Sequence, residues 1–319
     1  MAKKLIKVTL LAGGVGGAKM AEGFAALPNV DLSIIGNIAD DDEFHGLRVS
    51  PDIDTITYTL SGLVNRTQGW GVKDEGLRAL TILEKLGNET WMTLGDSDFG
   101  LHIYRTQRLL QGDKPSDIAK NIATKLGIKA RIILPTNDKI RTKVMTKDGW
   151  ISFQEYFVKR RCKPKIFKLK YTGINTAKLN KEAVQALNTS DAIVIAPSNP
   201  LVSIKPIIDI PGFKRILKNR KKMIVSVSPI ISGKTVKGPA NKMLIQLGYK
   251  SNAFEALKFY KDICDTFVID KSDKSLVNSF KKLGLRHHLT NIVINSTEEK
   301  KDLAQTLLEL MLPQIRKTK

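Results

Sequence analysis

Leu10-Leu11-Ala12-Gly13-Gly14-Val15-Gly16-Gly17-Ala18-Lys19 is the stretch that decides the fold. An apolar, strand-like run from Leu5 to Leu11 leads into it, and a helical pattern from Ala18 to Leu27 leads out, giving strand, tight turn and helix in succession. Glycine lets main-chain N–H groups come close to an anion, and a helix starting near Ala18 points its positive end at a phosphate. Neither common phosphate signature fits. A third Rossmann glycine would fall on Lys19, and a P-loop would need glycine at Ala18 and serine or threonine at Met20. The turn is thus a phosphate site by mechanism alone, with a ligand-free strand-to-helix turn as the alternative.

Five further apolar or β-branched runs read as buried parallel strands: Leu32 to Asn37, Ala192 to Ala196, Met223 to Val227, Phe267 to Asp270 and Asn291 to Asn295. Helical spacing follows at Phe213 to Asn219, Asn241 to Leu247, Ala253 to Ile263 and Glu298 to Leu312. Strands alternating with helices predict an α/β fold with a doubly wound, mostly parallel sheet. The core is expected from about 1 to 55 and 190 to 319, with an inserted mixed α/β lobe at about 56 to 189, all within one domain. Inside the lobe, Gly76 to Leu86, Leu101 to Leu110 and Ser116 to Leu126 read as helices. Lys143 to Lys147 and Trp150 to Val158 flank an Asp148-Gly149 hairpin turn, and Lys165 to Tyr171 alternates like another strand.

Composition narrows the class. The 319 residues are 42% hydrophobic and 26% charged, ordinary globular usage. No apolar run approaches a membrane span, and Met1 to Lys7 lacks a secretory pattern, so a cytoplasmic protein is expected. Cys162 and Cys264 are too few for a disulfide framework and read as structural thiols. Fifty-two basic residues against thirty-one acidic give a net charge of +21, densest at Lys159 to Lys170 and Lys214 to Lys222. Those runs lack the interleaved aromatics of a base-stacking surface, so the charge points to anionic small molecules before nucleic acid.

Ligands in open α/β sheets bind outside the carboxyl ends of the strands, near the reversal of strand order. Four post-strand loops therefore define one expected cleft: the glycine turn, Ala39 to Asp54, Pro197 to Ser203, and Ser228 to Lys242. Asp40, Asp41, Asp42, Asp52 and Asp54 crowd the second, with His45 and Arg48, and hard carboxylate oxygens beside a phosphate turn suit Mg²⁺. A solvated acidic loop is the plain alternative. Pro197-Ser198-Asn199-Pro200 offers a hydroxyl and an amide, and Lys237 and Lys242 lie in the fourth loop. His102 reads as a packed or capping histidine, and no hydrolase triad or zinc-protease spacing occurs.

Eight segments carry a resemblance: LLAGGVGGAKMAEG (10–23), NIADDDEFHGLRVSPDIDTITYTLSGL (37–63), GWGV (69–72), LGDSDFGLH (94–102), ISFQEYFVKRR (151–161), APSNPLVSIKPII (196–208), SVSPIISGKTVKGPANKM (226–243) and FVID (267–270). At these the chain resembles the 2-phospho-L-lactate transferase family of coenzyme F-420 biosynthesis. The resemblance implies a Rossmann-like core with an inserted lobe, a homodimer and dependence on Mg²⁺. It also implies transfer of a phospholactyl or enolpyruvyl phosphate group from a guanosine diphosphate-linked donor to 7,8-didemethyl-8-hydroxy-5-deazariboflavin. The products are coenzyme F-420-0, or its dehydro form, and GMP.

By that match Asp54 and Thr93 take acceptor-binding positions. The chain departs from the family pattern where relatives often carry a basic residue at the Thr93 position and arginine at the Ser97 position. The reaction then assigns Asp54 and Asp52 to catalysis and Asp40, Asp41 and Asp54 to the metal. Gly13, Gly14, Gly16, Gly17, Ser198, Asn199 and Lys242 fall to the donor. Two rival classes stand beside this reading. One is a nicotinamide-dependent oxidoreductase, with the Asp40 cluster at the ribose; the other is a basic nucleic-acid-binding protein.

Overall fold

A computed structural model describes residues 5–219, 223–235 and 237–317. Arg220, Lys221 and Lys222 of the basic run Lys214 to Lys222, Val236 of the fourth loop, Met1 to Lys4, and Thr318 and Lys319 lie outside the described residues. The centre is a seven-stranded sheet. Its strands are β1 (Ile6–Ala12), β2 (Val30–Gly36), β3 (Arg131–Ile133), β4 (Ala192–Ile195), β5 (Ile224–Val227), β6 (Thr266–Asp270) and β7 (Arg286–Thr290). They lie in the order β7-β6-β5-β4-β1-β2-β3, and every pairing is parallel. The order reverses between β1 and β4, which makes the crevice beyond their carboxyl ends the switch point of the sheet.

The near-continuous apolar runs of β1, β4 and β5 follow from burial on both faces. On one face lie α1 (Gly14–Ala25), α2 (Pro51–Leu60) and α4 (Thr297–Lys317), sharing a core with Leu10, Ile34 and Val194. On the other lie the helices Lys181–Thr189, Phe213–Lys218 and Ala253–Lys258, around Leu11, Ile193 and Phe267. Gly23 is where α1 meets α4: a Cβ there would stand 2.2 Å from the Lys300 carbonyl oxygen, so only glycine permits the approach. Beside it Glu22 and Lys300 pair at 2.8 Å.

The stretch from 56 to 189 contributes α3 (Asp96–Leu110), the helices Arg78–Lys85 and Pro115–Lys125, and an antiparallel sheet of three strands in which Arg141–Thr146 lies between Gly149–Ser152 and Lys168–Thr172. It returns to the main sheet once, at β3. The small sheet packs Val144 and Ile151 on Leu201, Val202 and Met243, joining this stretch to the segment Pro200–Ile204 after β4 and to the helix Ala240–Gln246.

Several elements differ from the sequence reading. The last strand is Arg286–Thr290, while Asn291 to Asn295 has no regular structure; β7 is a half-exposed edge whose Arg-His-His pattern hides it from a search for apolar runs. α1 starts at Gly14 and not Ala18, because the glycines are themselves its first turn. Trp150 to Val158 is a strand only to Ser152, then a π-helix from Glu155 to Lys159. The expected loop Ala39 to Asp54 contains a short hairpin, Asp42–Phe44 with Leu47–Val49, and the start of α2 at Pro51. No helix among the described residues is long and apolar enough to cross a membrane. Both cysteines are free, and burial pushes the Cys264 thiol up to about 12.

Candidate functional site

The glycines of the switch point are packed from three sides. A Cβ at Gly13 would sit 2.4 Å from Asp52 Oδ2 and 2.7 Å from Ser203 Cβ. At Gly16 it would meet the Pro197 carbonyl oxygen at 2.3 Å, and at Gly17 the Ser198 Oγ at 2.9 Å. Gly14, at φ +62°, takes a left-handed turn that favours glycine. Ser198 Oγ donates to the Gly13 carbonyl at 2.7 Å and accepts from the Gly13 N–H at 3.1 Å, clamping the loop after β4 onto the loop after β1. The glycine run thus lets the starts of α1 and α2 and the loop after β4 converge.

Of the donor-side residues predicted from sequence, Gly13, Gly14, Gly16, Gly17, Ser198 and Asn199 lie at this convergence. The side chains of Ser198 and Asn199 are occupied within the protein. Asn199 Oδ1 accepts from the Leu201 N–H at 2.9 Å, starting the π-helix Pro200–Ile204. Lys242 is exposed on the helix Ala240–Gln246, close enough to Cys162 to act on its thiol.

Ser50-Pro51-Asp52-Ile53-Asp54 is the start of α2, with proline at its first position and two aspartates in its first turn, where the helix dipole favours negative charge. Asp52 accepts from Asn37 Nδ2 at 2.9 Å and from the Gly14 N–H. Burial raises its carboxyl from 3.8 to about 6, against the Asn37 and Gly14 bonds. Asp41 also stands at about 6, raised by burial and opposed by Arg48, whose Nη2 lies 3.0 Å from Asp41 Oδ2. Ser50 Oγ donates to the same oxygen at 2.9 Å. Asp40 is held well above the usual carboxylate range by burial and then by Asp52.

Asp54 belongs to a different network. It is 4% exposed, and its two oxygens take both arms of the Arg105 guanidinium, Oδ2 at 3.1 Å from Nη1 and Oδ1 in contact with Nη2. The Ser50 N–H donates to Oδ2 at 3.2 Å. Arg105 Nη1 also reaches the Arg48 carbonyl at 3.1 Å and His102 Nδ1 at 3.2 Å. One face of α3 carries all of this, since Asp98, His102 and Arg105 are spaced four and three apart, and Asp98 accepts from the Tyr58 hydroxyl at 2.7 Å. His102 is packed, as its sequence context implied, with burial lowering its pKa. Thr93 is exposed in the loop before α3.

Asp40, Asp41 and Asp54, expected to share a metal, are not drawn into one ligand set: no three histidine, cysteine, aspartate or glutamate side chains form such a set among the described residues. Asp54 is committed to Arg105. Asp40 Oδ1 and Asp41 Oδ1, however, are buried acceptors with no partner. Two carboxylates with free oxygens and raised affinity for protons fit a cation like Mg²⁺, which takes one or two protein carboxylates and completes its shell with waters and substrate phosphates. Two cavities flank Asp41. One of about 160 Å³ lies against Ile53, Arg105 and Ile122; another of about 330 Å³ lies against Asp40, Arg141 and Gln154.

Sequence reasoning left Arg105, Asn37 and Ser203 unassigned. For Arg105 the available signal was the one-face spacing with Asp98 and His102; Asn37 reads as the end of the second strand and Ser203 as the end of the loop Pro197 to Ser203, both inside the segments that carry the resemblance.

A protein-family model described as 2-phospho-L-lactate transferase CofD matches residues 8–309. The chain is 34% identical to the 2-phospho-L-lactate transferase of Methanococcoides burtonii, over 94% of this chain and 98% of that protein. It is 35% identical to the protein of that name from Methanocaldococcus jannaschii, over 95% and 97%. With the one from Methanopyrus kandleri it shares 37%, over 84% and 87%. Among solved structures, a UPF0052 family member from Bacillus halodurans is similar in fold, with a TM-score of 0.66 at 16% identity, covering 96% of this chain and 99% of that one.

Proposed function

The chain belongs to the 2-phospho-L-lactate transferase family, and from that premise we propose the reaction it runs. It transfers a phospholactyl or enolpyruvyl phosphate group from a guanosine diphosphate-linked donor to the side-chain hydroxyl of 7,8-didemethyl-8-hydroxy-5-deazariboflavin, in coenzyme F-420 biosynthesis, with release of GMP. The observation that carries this reading is the meeting, at the switch point, of a helix-opening glycine turn with two buried carboxylates whose Oδ1 atoms lack partners. The turn suits a diphosphate and the carboxylates suit its counter-cation.

In the proposed step the acceptor oxygen attacks the phosphorus that bears the lactyl group. The bond from that phosphorus to the GMP phosphate oxygen breaks, and GMP leaves with the electron pair. Asp52, whose carboxyl burial raises to about 6 and which accepts from the Gly14 N–H, takes the hydroxyl proton. The first turn of α1 holds the donor phosphates, and the Asp54–Arg105 pair fixes the start of α2 so that Asp52 keeps its place beside Gly14. Asp40 and Asp41 would hold Mg²⁺, which supplies neutralisation of diphosphate charge. Positioning and charge then account for most of the rate, because phosphoryl transfer asks for little covalent chemistry from the protein. A homodimer in the cytoplasm completes the proposal.

The test is mass spectrometry of products from purified protein, Mg²⁺, the deazaflavin alcohol and each guanosine diphosphate-linked donor in turn. The expected result is GMP together with an acceptor heavier by one phospholactyl or enolpyruvyl phosphate unit. Tight NAD(H) binding without product, and without affinity for GDP or deazaflavin, would overturn the reading in favour of an oxidoreductase.

A further inference from the structure

We propose that the outward face of the three-stranded sheet is a docking surface for single-stranded nucleic acid, held without regard to sequence, with Trp150 stacking on a base and Lys168 and Lys170 taking phosphates. This goes beyond the transferase reading and does not depend on it.

The face follows from the register. Val144 stands opposite Ile151 and Leu169, and all three turn inward to the core that holds Leu201 and Met243. Their neighbours turn outward, because successive side chains of a strand alternate. The outward rows are Trp150, Met145 and Lys168, then Ser152, Lys143 and Lys170. Three of these six are lysines and none is acidic, while Trp150, Lys168 and Lys170 are exposed. Lys170 Nζ lies 4.1 Å from the centre of the Trp150 ring, so the ring turns a π-face, not an edge, toward the lysines. At the entry of the same strand Phe167 is half exposed, with Lys165 Nζ 5.7 Å from its ring centre. Along the chain, the run Lys159 to Lys170 shows no interleaving of lysines with stacking rings; across the strands it acquires one.

Charge and ring together select the occupant. The chain carries +21, far more than one small anionic substrate calls for. The acidic side chains nearest this face in sequence, Asp148 and Glu155, are both taken by Arg160, which leaves Lys143, Lys168 and Lys170 without a carboxylate partner among the described residues. Lysines in rows suit a chain of phosphates, and an exposed ring suits any base, since every base has a π-face. A duplex keeps those faces stacked inside, so the fit is to a single strand. An acidic peptide would meet the charge and leave the ring unused. A bilayer would ask for apolar tips that project from the surface, whereas Trp150 lies beneath an ammonium. When a strand binds, Lys170 moves from the ring to a phosphate and a base takes its place on Trp150.

Fluorescence anisotropy of a labelled oligouridine, titrated with the full-length protein over a range of salt, tests this. Log affinity should fall against log salt with a slope of about −2, at about −0.7 for each of three phosphates neutralised. Trp150→Ala should weaken binding by at least about fivefold, and Trp150→Phe should keep most of it. Lys168→Gln/Lys170→Gln should flatten the slope by about 1.4. The matched control is Lys281→Gln/Lys282→Gln, at two exposed lysines on the helix Val277–Lys282 beside β7, and its slope should stay near that of the wild type. Thermal denaturation checks that each variant folds, and the lysine pair decides the matter if Trp150→Ala does not. Three further results would overturn the proposal: an oligouridine bound no more tightly than polyglutamate or phosphatidylserine vesicles, folded face variants that bind like the wild type, or a control that loses as much as they do. Displacement of the strand by GDP would overturn it too, by placing the strand in the crevice. The product assay is read separately, so either outcome here leaves the transferase reading to its own test.

Discussion

Arg105→Met removes a guanidinium from inside the protein and leaves a side chain of similar length in the space. Asp54, at 4% exposure, is then left with the Ser50 N–H at 3.2 Å as its remaining hydrogen-bond donor. Stranding one partner of a buried ion pair costs about 3–5 kcal/mol. At about 2.1 cal/mol/K per residue, the unfolding entropy of 319 residues is about 0.7 kcal/mol/K, so the melting temperature should fall by about 4–8 °C. The double variant Arg105→Met/Asp54→Asn removes the stranded charge and should recover a large part of that loss. Thermal denaturation of wild type, both single variants and the double, at one pH, closes the cycle. A fall below about 1 °C for Arg105→Met, or a double variant no more stable than it, would refute the claim that this pair anchors α2.

Three further outcomes are expected. Asp54→Asn should lower turnover by at least about a hundredfold while Asp31→Asn, whose partner Arg131 lies 3.0 Å away at the surface, leaves it near normal; comparable rates for the two would dismiss Asp54 from the reaction. Gly16→Ala places a methyl group against the Pro197 carbonyl oxygen, so stability should drop by about 1–3 kcal/mol together with donor affinity, and a donor-specific loss at unchanged stability would contradict the packing role. Asp52 has a folded-state pKa of about 6 against 3.8 outside the fold, so its contribution is fully present below about pH 4 and is lost as pH rises through about 6. Asp52→Asn should therefore lose less stability than wild type between about pH 4 and pH 7, as read by melting temperature, and parallel curves would exclude the shift.

The parts of the fold that were legible in sequence are those where burial writes itself into composition. β1, β4 and β5 are apolar because both faces are covered, and their ends were placed to within a residue or two. β7 and β3 were missed for the opposite reason: each is an edge, and Arg286-His287-His288 and the three residues of β3 carry too little apolar signal to stand out. The start of α2 was hidden by its aspartates, which suit a turn as well as a helix N-terminus, although Ser50-Pro51 carried the helix-start signal. The meeting of the glycine turn with the loops after β2 and β4 followed from their common place at the carboxyl ends of parallel strands. What did not follow was the use made of each side chain there. Ser198, read as a donor-side hydroxyl, clamps Gly13, and Arg105, to which the sequence reading gave no role, is the partner of Asp54. Pairings between residues fifty or more positions apart depend on how distant segments pack, which no local pattern encodes.

The contact between Gly23 and Lys300 sets an order of events for the growing chain. α1, which opens at the glycine turn, lies against a helix made nearly three hundred residues later, and the Gly13 clamp waits for Ser198. Until α4 arrives, the apolar face of α1 with Met20 and Phe24 has no cover from that side. Contacts so distant in sequence form slowly and leave apolar surface open while synthesis proceeds. Nascent chains stopped before residue 297 should therefore be cut readily by proteases near α1, and the packing behind the glycine turn is among the last parts of the fold to be completed.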